Sequence, residues 1–294
     1  MLRGVFGAKS LPGQLHRMGK RMTKHLTEER IASFKENGFI SPMDGLTAAE
    51  AQECLECLED YERRTGNAAQ DSLTLKSHLP FGLYSRVIRN EKVLDAVEDL
   101  IGPNILCWGS SFFVKEPQSP TFVSWHADTY YYGIEPQETV TAWIAFSPSN
   151  LESGCIRCIP GSHKVKTEFE NAPQEHNVLK RGQNTKNVDE SKSVFMPLEP
   201  GQFSIHHECT VHSSLPNNAD HRRIGYSIHY CPTHVRETMY DPVDGKKSAA
   251  LVRGVDDYNH WDPEPMTEVD FDPVMAAHMV EIRRQFMSRN KGRA

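Results

Sequence analysis

Apolar positions recur at helical spacing through the first hundred residues, then give way near Ile105 to short β-branched and aromatic runs. Thr27 stands before an acidic first turn and Gly38 follows Asn37, so a helix is expected over 28–37, closed by a glycine. Gly38-Phe39-Ile40 then reads as a first strand. Thr47 with Glu50 three residues on forms the pattern of a capping box. It opens a helix with Ala51, Cys54, Leu58 and Tyr61 as its apolar positions, ending by Gly66. A third helix fits 91–100, with Val93, Ala96, Val97 and Leu100 on one face and Gly102-Pro103 closing it. The tail over 271–293 returns to a helical pattern.

Between these helical regions lie ILCWGSSFFVKEP, TFVSWHADTYYYG, TVTAWIAFSP, GCIRCIPGSH, KSVFMPL, GQFSIHHECTVHSS and RRIGYSIHYCP. Seven or eight short strands at near-regular spacing point to a β-sandwich or barrel-like double sheet. The polar stretch over 163–191 has little periodicity and is long for an idle connection, so a lid or binding loop is expected there. No internal repeat is present.

Composition narrows the picture. A chain of 294 residues with 38% hydrophobic content has enough apolar material for one large core. One domain is expected over 26–290, preceded by a flexible tail at 1–25. The first 27 residues hold six Lys or Arg and no acid, and Pro12 and several glycines interrupt any helix there. The 33 Lys and Arg against 39 Asp and Glu leave a net charge of −6, which argues against nucleic acid as a partner. No apolar run approaches the roughly 20 residues that span a bilayer, so no membrane association is expected, and the cytoplasm is the expected location. Seven cysteines in a long chain read as reduced packing thiols. The CxxC pairs Cys54/Cys57 and Cys155/Cys158 fall in a helical and a strand pattern, where zinc sites are uncommon.

The candidate chemistry begins at His126-Ala127-Asp128. In a strand, alternate residues share a face, so imidazole and carboxylate could grip one ion. Such a triplet alone is common. Downstream, GQFSIHHECTVHSS offers His206, His207 and His212, and His206 and His212 share a face if one strand runs unbroken. Arg223 follows His212 by eleven residues and opens the strand RIGYSIHY. Two histidines and a carboxylate make a facial triad that leaves positions open on Fe(II). A neighbouring arginine can take the far carboxylate of a dicarboxylate through a two-pronged contact.

This order resembles the phytanoyl-CoA dioxygenase family of 2-oxoglutarate-dependent oxygenases. TAWIAF, ESGCIRCIPGSH, VHSSLPN and HRRIGYSIHY stand in the family's order, and the resemblance runs over about residues 26–285. It implies a mainly β fold with flanking helices, a double-stranded β-helix (jelly roll, cupin-like). It also implies Fe(II) as cofactor with 2-oxoglutarate and O2 as cosubstrates. His126, Asp128 and His212 match the metal ligands, which selects His212 over His206. Arg223 matches the residue that binds the C5 carboxylate of 2-oxoglutarate, and Ser214 and Trp143 match positions that contact the same molecule. No catalytic group beyond the ligands is implied. The presence of Asp128 favours hydroxylation over halogenation, for which the carboxylate is missing. On the substrate side, Tyr130, Tyr132, Lys76, His78 and His207 are the candidates, with His163 in a turn at the rim. A small polar metabolite is expected: an aminoalkylphosphonate, an amino acid or an ectoine-like zwitterion. A larger apolar or carrier-bound substrate, or a jelly roll that binds without turnover, are the alternatives.

Overall fold

The structure is a computed structural model that describes residues 23–179, 183–238 and 246–289, with only the backbone at 130, 131, 183 and 287–289. The helix ends fall where their caps put them. Helix α1 (Glu28–Asn37) starts at Thr27, whose side chain accepts from Arg30 N, and stops at Gly38 with φ 85°. Strand β1 (Phe39–Asp44) follows, and the Thr47/Glu50 capping box, formed in both directions, opens α2 (Ala48–Thr65). Two helices too short to show periodicity, α3 (Ala69–Ser72) and α4 (Gly82–Val87), precede α5 (Glu91–Ile101). Then come β2 (Ile105–Lys115), β3 (Val123–His126), α6 (Thr129–Tyr132), β4 (Ile134–Glu135), β5 (Val140–Ala145) and β6 (Ile156–Cys158). After these run β7 (Phe169–Asn171), β8 (Gln183–Thr185), β9 (Val194–Met196), β10 (Gln202–His207), β11 (His212–Ser214) and β12 (Arg223–Pro232). The chain closes with β13 (Arg236–Glu237), β14 (Ser248–Arg253), β15 (Asp262–Pro263) and α7 (Pro273–Arg289).

A seven-stranded sheet, in the order β1-β10-β5-β12-β2-β14-β15, and a four-stranded sheet, β3-β11-β6-β9, are the two sheets of a double-stranded β-helix. Strand alternation on β12 shows how one sequence serves two sides. Ile224, Tyr226, Ile228 and Tyr230 join the large apolar core. There Tyr226 meets Tyr84 and Phe112, and the Tyr230 hydroxyl donates to Ile88 O at 2.9 Å. The intervening Arg223, Ser227 and His229 line a cavity inside the jelly roll. The same division holds on β5, where Val140, Ala142 and Ile144 enter the core and Thr141 and Trp143 line the cavity. On β10, Phe203 and Ile205 enter the core and His206 lines the cavity. Period-two geometry thus separates the apolar layer from the site.

Three expectations change. GQFSIHHECTVHSS is not one strand: β10 pairs with β1 and β5 in the larger sheet, whereas β11 pairs with β3 and β6 in the smaller. The HxD triplet is not wholly extended either, because β3 ends at His126 and Asp128 takes right-handed helical dihedrals (φ −63°, ψ −35°). The tyrosines after it belong to the short helix α6, not to a strand. Within the polar stretch over 163–191, β7 and β8 pair as antiparallel strands. The stretch is also tied to β3, where Asn177 Nδ2 donates to Ser124 Oγ at 2.9 Å. At the other end, the backbone N–H groups of Lys24, His25 and Leu26 donate to the Asp99 carboxylate at 2.8–3.1 Å. The chain is therefore docked just inside the segment expected as a tail; residues 1–22 lie outside those described. All seven cysteines are free thiols, five of them buried. Among the described residues, no helix is long and apolar enough to cross a membrane.

Candidate active site

His126 at the end of β3 and His212 at the start of β11 sit directly across from each other in the smaller sheet, with ring centroids 4.1 Å apart. Each ring is fixed in the same way. Nδ1 of His126 reaches Ser124 O at 2.9 Å, and Nδ1 of His212 reaches Thr210 O at 2.9 Å. A carbonyl only accepts, so Nδ1 carries the proton in both, leaving each Nε2 as a bare lone pair. Both Nε2 atoms face Asp128 Oδ1, at 3.4 Å and 3.8 Å, and one donor atom from each of the three residues lies within 4.8 Å of the others. Burial, followed by the two neighbouring imidazoles, keeps His212 neutral, well below its usual value. Two imidazoles and one carboxylate on one side of a cavity are the donor set of a facial triad, so the residues fit Fe(II).

The other end of the same cavity is cationic. Arg223 is 1% exposed, its Nε has no partner, and no carboxylate pairs with it among the described residues. Its guanidinium lies 5.3 Å from the Trp143 ring, and burial pulls its pKa down to about 10. Directly across the strand pair stands Lys115, also 1% exposed. Lys115 Nζ donates to Ser214 Oγ at 2.7 Å and to Leu215 O. Burial, then Arg223, pushes its pKa down to about 5. One buried guanidinium without a counter-ion at the end of a metal-type cavity calls for an anion. Ser214, Trp143 and Ser227 line the same space.

Trp143 keeps its place because residue 225 is glycine: a Cβ there would lie 1.7 Å from Trp143 Cζ2. Gly225→Ala is therefore expected to push the indole off Arg223. It should cost about 1–3 kcal/mol of stability through overpacking, and 2-oxoglutarate should bind more weakly. Urea unfolding and a 2-oxoglutarate titration on the same variant check both effects.

The substrate-side candidates scatter. Tyr132 is buried and its hydroxyl lies 2.9 Å from His229 Nδ1, on the cavity wall. The Tyr130 side chain lies outside the described residues. His207 does not wall the cavity, because alternation on β10 turns it away from His206; its ring approaches His163 at 5.6 Å. Lys76 and His78 do not line this cavity, although Lys76 lines a neighbouring one. Both are buried against Glu264, with Lys76 Nζ at 2.5 Å and His78 Nε2 at 2.9 Å from its two carboxylate oxygens. They serve an internal ion cluster at the start of the sheet. Sequence reasoning missed Lys115, Thr141, His206 as a cavity group, and His229. A lysine ending an otherwise uncharged eleven-residue strand, and single polar residues alternating with apolar ones in TVTAWIAF and YSIHY, are the signals that carry them.

Burial also sets a pH response. It pushes both His207 and His229 down to about 4, so they stay neutral in the folded protein while they would charge below about 6.5 unfolded. Their contribution to stability is lost as pH falls from 6.5 towards 4. Glu208 is opposite in sign: burial raises it to about 7, it accepts from Thr139 N at 2.8 Å, and its Oε2 has no partner. It holds a proton that the unfolded chain releases, so its contribution is lost as pH rises through 4.5 to 7. Glu208→Gln is expected to steepen the rise of stability between pH 5 and 6.5 by up to about 1.4 kcal/mol per pH unit, read from urea midpoints across that range.

Comparisons with known proteins agree with this geometry. The profile of the phytanoyl-CoA dioxygenase (PhyH) family matches residues 34–225. A probable alpha-ketoglutarate-dependent hypophosphite dioxygenase of Stutzerimonas stutzeri is 26% identical over 175 residues, 57% of this chain. The alignment spans 61% of that relative's length. Among solved structures, the non-heme monooxygenase ThoJ in its apo form superposes with a TM-score of 0.76 at 29% identity, covering 88% of this chain and 96% of ThoJ. CytC3 with Fe(II) and alpha-ketoglutarate gives 0.60 at 25% identity, covering 84% and 96%. With the family profile matched over most of the chain and the jelly roll shared throughout, the protein belongs to the phytanoyl-CoA dioxygenase family.

Proposed function

We propose that the protein is an Fe(II)- and 2-oxoglutarate-dependent dioxygenase that hydroxylates a C–H bond of a small polar metabolite. The observation that carries the reading is one cavity lined at one end by His126, Asp128 and His212 and at the other by the buried, counter-ion-free Arg223. His126, Asp128 and His212 would hold the metal. Arg223 and Ser214 would hold the far carboxylate of 2-oxoglutarate, with Trp143 as its apolar wall. When bound, Fe(II) and 2-oxoglutarate supply the oxidising power that turns C–H into C–OH with release of succinate and CO2. The protein's own part is to hold the ligands in fixed tautomers, to exclude water, and to present the substrate from the side opposite Arg223.

That side is polar. Thr141, His206 and His229 line it, and Tyr132 reaches it through His229. Imidazoles and hydroxyls suit hydrogen bonding to a small zwitterion such as an aminoalkylphosphonate, an amino acid or an ectoine-like compound. A larger substrate is the second reading. It is supported by a cavity of about 280 Å3 beside Trp108, Trp261, Phe286 and Lys247. Trp108 stacks on His229 at 5.1 Å, so that space borders the site. Succinate release measured with Fe(II), 2-oxoglutarate and O2 against a panel of metabolites tests the reading. Stimulation by a small zwitterion supports it, and stimulation only by bulky apolar acids supports the second. Absence of any succinate, with or without substrate, would sink both.

A further inference from the structure

Three imidazoles, not two, surround Asp128, and the third is built differently. His206 comes from β10 in the larger sheet, whereas His126 and His212 come from the smaller one. It is 2% exposed, its ring centroid lies 4.4 Å from that of His212, and it lines the same cavity. His126 and His212 each spend Nδ1 on a backbone carbonyl, the arrangement that bares Nε2 for a metal. Neither nitrogen of His206 has a hydrogen-bond partner, and its Nε2 stands 3.4 Å from Asp128 Oδ2. This is the carboxylate oxygen turned away from the two bared Nε2 atoms, which both face Oδ1. Thr141 Oγ1 donates to the same Oδ2 at 3.1 Å. At 3.4 Å the approach is longer than a hydrogen bond, but since neither His206 nitrogen is spent elsewhere, Nε2 can carry the ring proton and donate to this oxygen.

We propose that His206 is a positioning residue for the metal centre: its Nε2–H, together with the Thr141 hydroxyl, holds Asp128 Oδ2 so that only Oδ1 is presented to the metal. The proposal rests on the metal reading above. A carboxylate free to rotate could chelate through both oxygens and close one of the positions that the cosubstrate and O2 require. Fixing Oδ2 from the opposite sheet prevents that and raises the order of the site before metal arrives. His206 stands outside the group of donor atoms that gather within 4.8 Å, which separates it from the ligands.

The test is Ni(II) and Co(II) titration of purified full-length protein, with thermal melting as the folding control. His206→Phe is expected to weaken Ni(II) binding about 10- to 100-fold, the usual cost of losing an outer-shell partner. His206→Gln, whose amide can donate to Oδ2, is expected to recover most of that loss. The visible Co(II) spectrum of His206→Gln should match the wild type, because the ligand set is unchanged. Wild-type affinity in His206→Phe would overturn the proposal. So would a failure of His206→Gln to recover together with a changed Co(II) spectrum, which would make His206 a ligand. Asp128→Asn is run in parallel. If it binds Ni(II) as tightly as the wild type, the metal reading itself falls; if it loses Ni(II) while His206→Phe does not, only the positioning role falls.

Discussion

Asp128→Ala is expected to abolish 2-oxoglutarate turnover and to lower metal affinity by well over the roughly 10- to 100-fold that an outer-shell loss costs. The variant removes more than one donor of three. Asp128 is the one carboxylate of the three-donor cluster, beside two imidazoles. It is also the acceptor on which Thr141 and, through Thr141, His229 are arranged. Folding should survive, because Asp128 lies in a turn after β3 and contributes nothing to the apolar core. Metal titration beside a thermal melt separates the two effects. A variant with undiminished turnover would end the ligand assignment.

The second large effect is expected at Arg223. Removing a guanidinium from a fully buried charge pair typically costs about 2–5 kcal/mol, so Arg223→Ala should weaken 2-oxoglutarate binding by roughly 30-fold or more. Metal affinity should stay near that of the wild type, because the guanidinium belongs to the other end of the cavity. Arg223→Lys should not restore binding, since a point charge cannot supply two parallel N–H donors. Lys115 cannot substitute either: its Nζ is already committed to Ser214 and Leu215. Equilibrium titration with 2-oxoglutarate at fixed Ni(II) measures the loss. An unchanged dissociation constant in Arg223→Ala would remove the cosubstrate assignment while leaving the metal site intact.

The sequence made some of this legible for identifiable reasons. Helices α1 and α2 announce themselves through local chemistry, a Thr cap at one end and a left-handed glycine at the other, and local chemistry is what a sequence displays directly. His126, His212 and Arg223 could be singled out because their order and spacing resemble those of the phytanoyl-CoA dioxygenase family. The break between β10 and β11 was hidden, because nothing in HHECTVH prevents an extended reading. The turn over 208–211 is set by tertiary partners: Thr210 Oγ1 donates to Gly38 O and Thr129 N donates to Glu208 O. That same break is why parity could not sort His206 from His212, which reach Asp128 from different sheets. The pairing of Lys76 and His78 was hidden for a related reason. Their partner Glu264 lies almost 190 residues downstream, and a buried ion cluster assembled over that distance leaves no local trace.

Strand β12 has one further consequence. Its even-numbered residues from Ile224 to Tyr230 are apolar packing and its odd-numbered residues from Arg223 to His229 face the cavity. Stability and selectivity are therefore written on separate residues of the same ten-residue segment. Ser227 and His229 can drift to accept a new substrate without thinning the core, and the aromatic positions can be repacked without touching the chemistry. A single inserted or deleted residue in the strand is the change it cannot absorb, since it would exchange the two faces and place the guanidinium among the tyrosines. Diversification along this strand should thus proceed by substitution alone, with length changes confined to the turns on either side.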